Sequence, residues 1–322
     1  MTQFKTVEKA FEASGPERFT IGLANINTRV PDLEANRDRI AAAVEVFRDR
    51  GVNMAVFPEY CLSGCFWDDR AACEAHMSRA AMNQQVGWIR ERLVPLLDDN
   101  LQYIVLNGAV DQPEAEKPYL NVTCVVDSEF SGLIAANTYK KIFLPGIEAH
   151  YASSGKDDRL VVDTPWGRFG FITCYDLCFQ QLLQEYALVD QVDAIVAPSA
   201  WRSRTERHYP GMDAGSDHYY GFQWDTLLPA HALLNQIWMF GCNTVGRHEL
   251  GGEELWGGSG VWAPSGIRLA QASHHEEELL IVRNIDIKGE RKIEHADFSY
   301  AGDFQNIYRP IAGSRAFTRT PE

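Results

Sequence analysis

The chain has 322 residues, with 30 Lys and Arg set against 44 Asp and Glu, a formal net charge of −14. Its composition, 45% hydrophobic and 23% charged, is that of an ordinary globular protein, and one α/β domain over residues 1–322 is expected. With no basic run to displace counterions and no apolar run of about 18 residues, nucleic acid and membrane are excluded as partners.

Phe19 to Ile26 reads as a strand. Leu33, Ile40, Val44 and Phe47 then line one face of a helix from about Pro31 to Arg50, closed by Gly51. A second strand, Met54 to Phe57, stops at Pro58, a βαβ opening that normally feeds a helix-covered sheet. A helix near Gln84 to Leu97 and a strand at Tyr103 to Asn107 follow. Val122 to Val126 and Leu133 to Tyr139 flank Ser128 to Gly132 as one hairpin. Leu160 to Val162 and Phe169 to Thr173 flank Pro165-Trp166-Gly167 as another. Helix Gln180 to Val189, strand Ala194 to Ala197, helix Trp224 to Asn235 and strand Trp238 to Asn243 come next. Strands at Gly260 to Ala263 and Leu279 to Ile285 complete the body. Glu276 to Glu278 reads as solvated charge. The aromatic stretch 295–322 reads as an irregular tail, placed at a subunit interface.

Polar residues at the ends of apolar strands mark where an open α/β sheet places its ligands. Glu59 follows Met54 to Pro58, Lys141 follows the strand ending at Tyr139, and Cys174 follows Phe169 to Thr173. A free thiol with a pKa of about 8.5 needs a base or a cation to become a nucleophile. Glu59 can take its proton, and Lys141 can stabilise charge that develops on a substrate. The Cys61/Cys65 and Cys174/Cys178 pairs have the wrong spacing for structural zinc. The mixed-charge N-terminus lacks the apolar core of a signal peptide, so the seven cysteines are expected reduced, in a cytoplasmic setting.

The sequence resembles the nitrilase superfamily of carbon–nitrogen hydrolases, whose motifs centre on Glu, Lys and Cys in that order. Phe57-Pro58-Glu59 with Ser63-Gly64, Tyr139 to Pro145, and Thr173 to Phe179 match those motifs, and Pro198-Ser199-Ala200-Trp201 and Gly258-Ser259 match later landmarks. The resemblance covers about Phe19 to Asp286. It implies a four-layer α-β-β-α sandwich, no cofactor or metal, and a homodimer or larger assembly. It also implies a thioester route with Glu59 as base, Cys174 as nucleophile, and Lys141 and the Tyr175 N–H around the oxyanion. Glu148 occupies the place of the family's second glutamate, which orients the lysine and the substrate amine. Two departures stand out: Gln180-Gln181 after Phe179, and His231 to Asn235 in place of the usual Arg-Ala-x-Glu-Asn.

Tyr175-Asp176 after the nucleophile favours a linear amide or N-carbamoyl compound over a nitrile. Trp201 to Trp224 is the expected specificity loop, in which Arg202 and its neighbours Arg204 and Arg207 would clamp a substrate carboxylate. Tyr175, Trp201, Arg202 and Asn235 are the expected substrate-binding residues. A nitrilase, or a silent binding protein on the same fold, remains open at this point.

Overall fold

The computed structural model describes residues 4–12, 18–64, 70–112, 114–146, 148–156, 159–211, 215–249 and 254–311. Among these residues one sheet of eight strands runs Lys5–Ala10, Glu278–Ile285, Phe19–Asn25, Met54–Val56, Tyr103–Asp111, Tyr119–Val126 and Thr138–Lys140, with Ala152–Ser153 beside Tyr119–Val126. A second, of six strands, runs Arg268–Gln271, Gly260–Trp262, Trp238–Asn243, Ala194–Ser199, Arg168–Phe171 and Val161–Asp163.

The period of two along each strand builds the layers. Phe19, Ile21, Leu23, Met54, Val56 and Val105 of the first sheet meet Phe169, Phe171, Val196, Phe240 and Val261 of the second in one buried core. The alternate residues of the first sheet, Ala24, Ala55, Ile104 and Leu106, pack on Ile40, Val44 and Phe47 of the helix Leu33–Asp49. Those of the second, Ile195, Ala197 and Met239, pack on Leu183, Tyr186, Trp224 and Leu228 from the helical segments that follow Cys174 and Ser216. The result is the expected α-β-β-α sandwich.

Several boundaries differ from the pattern in the sequence. Leu133 to Tyr139 is not one strand; only Thr138–Lys140 pairs. The Asn137 side chain accepts from Ile134 N–H (2.9 Å) and donates to Gly132 O (2.9 Å), a local turn that displaces the ladder. The helix ending at Asn235 begins at Tyr219, earlier than Trp224, because its run of aromatics masks the apolar period. Lys5–Ala10 adds a parallel edge strand to Glu278–Ile285, and its charges hid it. Glu278 is buried rather than solvated, accepting from Ser273 N–H at 2.6 Å.

The segment from 295 is largely helical up to Tyr308, within Ile287–Asp297, Tyr300–Asp303 and Phe304–Tyr308. It docks on its own chain: Gln236 donates to Phe298 O (2.6 Å) and accepts from Tyr300 N–H (3.0 Å). Residues 312–322 of the expected tail lie outside the described residues.

Gly22 marks the closest approach of helix to sheet, since a Cβ there would sit 2.5 Å from the Phe47 ring. Gly22→Ala should lower the unfolding free energy by about 1–3 kcal/mol. Urea titration checks this, and an unchanged midpoint would show that the ring moves away at no cost.

Candidate active site

Four strand ends from the two sheets meet at one point. The turn after Met54–Val56 supplies Glu59, and Thr138–Lys140 runs into Lys141. The turn after Arg168–Phe171 supplies Cys174, and Ala194–Ser199 leads to Ala200 and Trp201. Glu59 N–H donates to Ser199 O at 3.3 Å, which ties the sheets together at the site.

Lys141 is 1% exposed, and its ammonium lies between two carboxylates: Glu59 Oε1 at 2.8 Å and Glu148 Oε2 at 2.7 Å. Burial alone would discharge it; Glu148 and then Glu59 overcome that penalty and hold its pKa well above the usual lysine range. Ala200 N–H donates to Glu59 Oε2 at 2.9 Å, and the Tyr60 hydroxyl to Glu148 Oε1 at 2.6 Å. Asn121 Nδ2 donates to Glu59 Oε1 and to Glu148 Oε1, both at 2.7 Å.

Cys174 opens a short turn, Cys174–Cys178, with its backbone at φ 47°, in the left-handed region that L side chains rarely adopt. Tyr60, beside Glu59, is also left-handed at φ 54°. A capping box starts the Cys174 turn: Asp176 Oδ2 accepts from Thr173 N–H at 2.9 Å, and the Thr173 side chain accepts in return. Asp176 also accepts from the Tyr139 hydroxyl (2.8 Å) and Phe143 N–H (2.9 Å), so the lysine strand and the nucleophile turn share one carboxylate. Burial and the adjacent Glu59, which hydrogen-bonds the thiol, push Cys174 well up, with Lys141 pulling the other way. These influences together favour the neutral form of the thiol.

Cys174 and Lys141 open onto a cleft of about 520 Å³, together with Glu59, Glu148, Tyr175, Trp201 and Arg202. Asn235 does not line it. Its amide donates to His231 O (2.9 Å) and its carbonyl accepts from Gln180 (3.1 Å), at the helix end away from the cleft. Gln180 also meets His231 Nδ1 at 2.7 Å, and His231 Nε2 meets Leu177 O at 2.6 Å. The two departures from the family pattern are therefore partners of each other, bracing the far side of the nucleophile turn.

Besides Arg207, singled out with Arg202 as a carboxylate clamp, the cleft is lined by Tyr219, Tyr220, Gln223 and Cys178, which are absent from the expected substrate-binding set. Arg207 and the two tyrosines lie inside the expected specificity loop, and Arg207 stands 4.6 Å over the Tyr219 ring. Cys61, Cys124 and Cys242 are free but buried away from the cleft, and burial raises each thiol. Among the described residues no group of three His, Cys, Asp or Glu is placed to hold a metal.

Burial pushes Asp176 up to about 6, against the pull of Phe143 N–H, the Lys141 charge, Thr173 N–H and the Tyr139 hydroxyl. The unfolded carboxyl titrates near 3.9, so between about pH 4 and pH 6 the folded state holds more protons. This group's contribution is therefore greatest at low pH and declines as pH rises through about 6. The stability of the wild type relative to Asp176→Asn should fall across that window in urea titrations. A difference flat with pH would show that Asp176 does not titrate there.

The description "Carbon-nitrogen hydrolase" matches residues 20–293. The chain is 26% identical, over 84% of its length and 68% of the relative's, to the chloroplastic omega-amidase of Arabidopsis thaliana. It is 28% identical, over 71% of its length and 75% of the relative's, to the deaminated glutathione amidase of Dictyostelium discoideum. Saccharomyces cerevisiae Nit3, of the nitrilase superfamily, superposes with a TM-score of 0.68 at 20% identity, over 88% of this chain and 97% of that one. The two facing sheets, the convergent strand ends and the match over residues 20–293 agree: the chain belongs to the carbon–nitrogen hydrolase family.

Proposed function

We propose that the protein hydrolyses the carbon–nitrogen bond of small linear amides through a thioester on Cys174. The carrying observation is the buried Lys141 ammonium held between Glu59 and Glu148 on the same cleft as the Cys174 thiol, whose pKa burial and Glu59 raise. Apart from the thiol itself, Glu59 Oε1 accepts from Lys141 and Asn121, whereas Oε2 accepts only from Ala200 N–H among the described hydrogen bonds. Oε2 is thus the oxygen with a lone pair free for the thiol proton.

Proton transfer from Cys174 to Glu59 accompanies attack of sulfur on the amide carbon. The carbonyl oxygen becomes an anion facing the Lys141 ammonium and the Tyr175 N–H. Collapse expels the nitrogen, which takes its proton from Glu59 and leaves as ammonia or an amine. Water, deprotonated by the same carboxylate, then attacks the thioester and releases the acid with the thiol restored. Glu148, fixed by Tyr60 and Lys141, faces the same cleft and holds the ammonium and the departing amine in place.

The amidase relatives favour an amide over a nitrile. Arg202 and Arg207 at the cleft favour substrates that carry a carboxylate, and an N-carbamoyl amino acid is the second reading that the same pair supports. We also place the protein in the cytoplasm as a homodimer or larger, on its free cysteines and on the exposed Phe222, Leu233 and Leu234 of the helix Tyr219–Asn235. Light scattering on the purified chain tests the second point, a monomer refuting it.

Cys174→Ala should abolish ammonia release, by at least about a thousandfold, with the circular dichroism spectrum intact. Glu59→Gln should lower kcat by about 10²–10⁴. Undiminished ammonia release from the alanine variant would sink the proposal. Arg207→Ala should raise KM about tenfold for a carboxylate-bearing amide and leave a neutral amide unaffected. Equal effects on both substrates would remove Arg207 from carboxylate recognition.

A further inference from the structure

Glu59 and Glu148 both turn toward one ammonium, with Oε1 of the first 2.8 Å and Oε2 of the second 2.7 Å from Lys141 Nζ. The group between them is neither charged nor part of the sequence motifs. Asn121 lies on Tyr119–Val126, is 1% exposed, and has two amide hydrogens. One goes to Glu59 Oε1 and the other to Glu148 Oε1, each at 2.7 Å. Its own carbonyl accepts from Asn107 Nδ2 at 2.9 Å, which fixes the amide's orientation. Asn107 is fixed in turn, accepting from Tyr60 N–H (2.9 Å) and donating to Thr123 Oγ1 (2.9 Å), and Thr123 meets Thr173 Oγ1 at 2.9 Å. The chain of amides and hydroxyls therefore runs from the base turn to the residue before the nucleophile.

We infer that Asn121 is a positioning residue for the reaction, its two amide hydrogens dividing the paired glutamates so that Glu59 Oε1 is held by neutral and charged donors and Oε2 is left to take the thiol proton. Each hydrogen goes to an ionised acceptor, the geometry in which a hydrogen bond stabilises charge most. Rotation of the Asn121 amide would present its carbonyl oxygen to a carboxylate, and Asn107 Nδ2 holds it against that rotation. The charged and titratable groups around the pair are Lys141, the Cys174 thiol and the Tyr60 hydroxyl, with Asp176 behind Lys141 and Arg202 and Arg207 across the cleft.

The inference uses the amidase reading only in making Glu59 the thiol's base, and the alkylation arm of its test needs no substrate. The rate of Cys174 alkylation by iodoacetamide, followed by peptide mass spectrometry, should fall on the acid side. Asn121→Asp adds a third carboxylate and should move that limb up by at least about one pH unit. Asn121→Ala removes one donor from each glutamate, should move the limb the same way by less, and should lower kcat about ten- to a hundredfold with little change in KM. Asn107→Ala touches neither carboxylate and should reproduce the direction at smaller amplitude. A merely structural asparagine would lower the unfolding midpoint and leave the limb where it is. An unmoved limb in Asn121→Ala and in Asn107→Ala, both folded by circular dichroism, overturns the inference even if Asn121→Asp fails to fold. A shifted limb in a wild-type background that releases no ammonia from any amide instead upholds the inference and refutes the amidase reading.

Discussion

The ammonium of Lys141 is the constraint on which the site is built. A lone ammonium buried to this degree carries a desolvation penalty of several kcal/mol, so it persists only with partners. Glu59 and Glu148 supply them, one from each side. Two carboxylates against one cation leave a net negative charge in a buried volume, which needs neutral donors in turn. Tyr60, Asn121 and the Ala200 N–H are those donors. Removing one partner from such a set typically costs about 3–5 kcal/mol, so the charges to which we assign the chemistry are also structural.

The same buried network has to hold two strained turns. Tyr60 and Cys174 both sit at positive φ without being glycine, a conformation that costs about 1–3 kcal/mol per residue. Each turn is held by a hydrogen bond from a strand other than its own, Tyr60 N–H by Asn107 and Thr173 by Thr123, and the second is closed locally by Asp176. Asp176 carries the heaviest share, because Tyr139 and Phe143 bond it from the strand and loop that present Lys141. Nucleophile and cation cannot shift independently while that carboxylate is in place.

What the sequence revealed follows from where each residue sits on its element. Glu59, Lys141 and Cys174 interrupt apolar strands at their ends, where a charged or reactive side chain is conspicuous, and the resemblance adds Glu148, Tyr175, Trp201 and Arg202 on the same cleft. Asn107 and Asn121 lie within strands, and nothing in the alternation distinguishes them from outward-facing polar residues. Only the pairing of Tyr103–Asp111 with Tyr119–Val126 brings their amides together beneath the carboxylates. Asn235 failed for the converse reason. Its place on a helix was legible, but its direction depended on Gln180 and His231, a contact between segments distant in sequence. The strands and helices were legible because strand period and helix period are local, and the resemblance supplied their α-β-β-α layering; the edge strand Lys5–Ala10 was not legible, because one exposed face leaves no apolar period to read.

A thiol held neutral at rest is consistent with catalysis once charge is counted through the proposed step. Lys141, Glu59 and Glu148 together carry one negative charge before reaction, and a resting thiolate would make it two in the same buried space. If Glu59 accepts the proton as sulfur attacks, the total does not change. Negative charge leaves the Glu59 carboxylate and appears on the substrate oxygen, and both positions lie beside the same ammonium. Lys141 therefore need not gain a counter-charge in the transition state; it exchanges one for another at nearly constant distance, and the surrounding donors have little to rearrange. On this account the burial that raises the thiol does not oppose the chemistry, because it disfavours the separated thiolate while leaving the coupled transfer untouched.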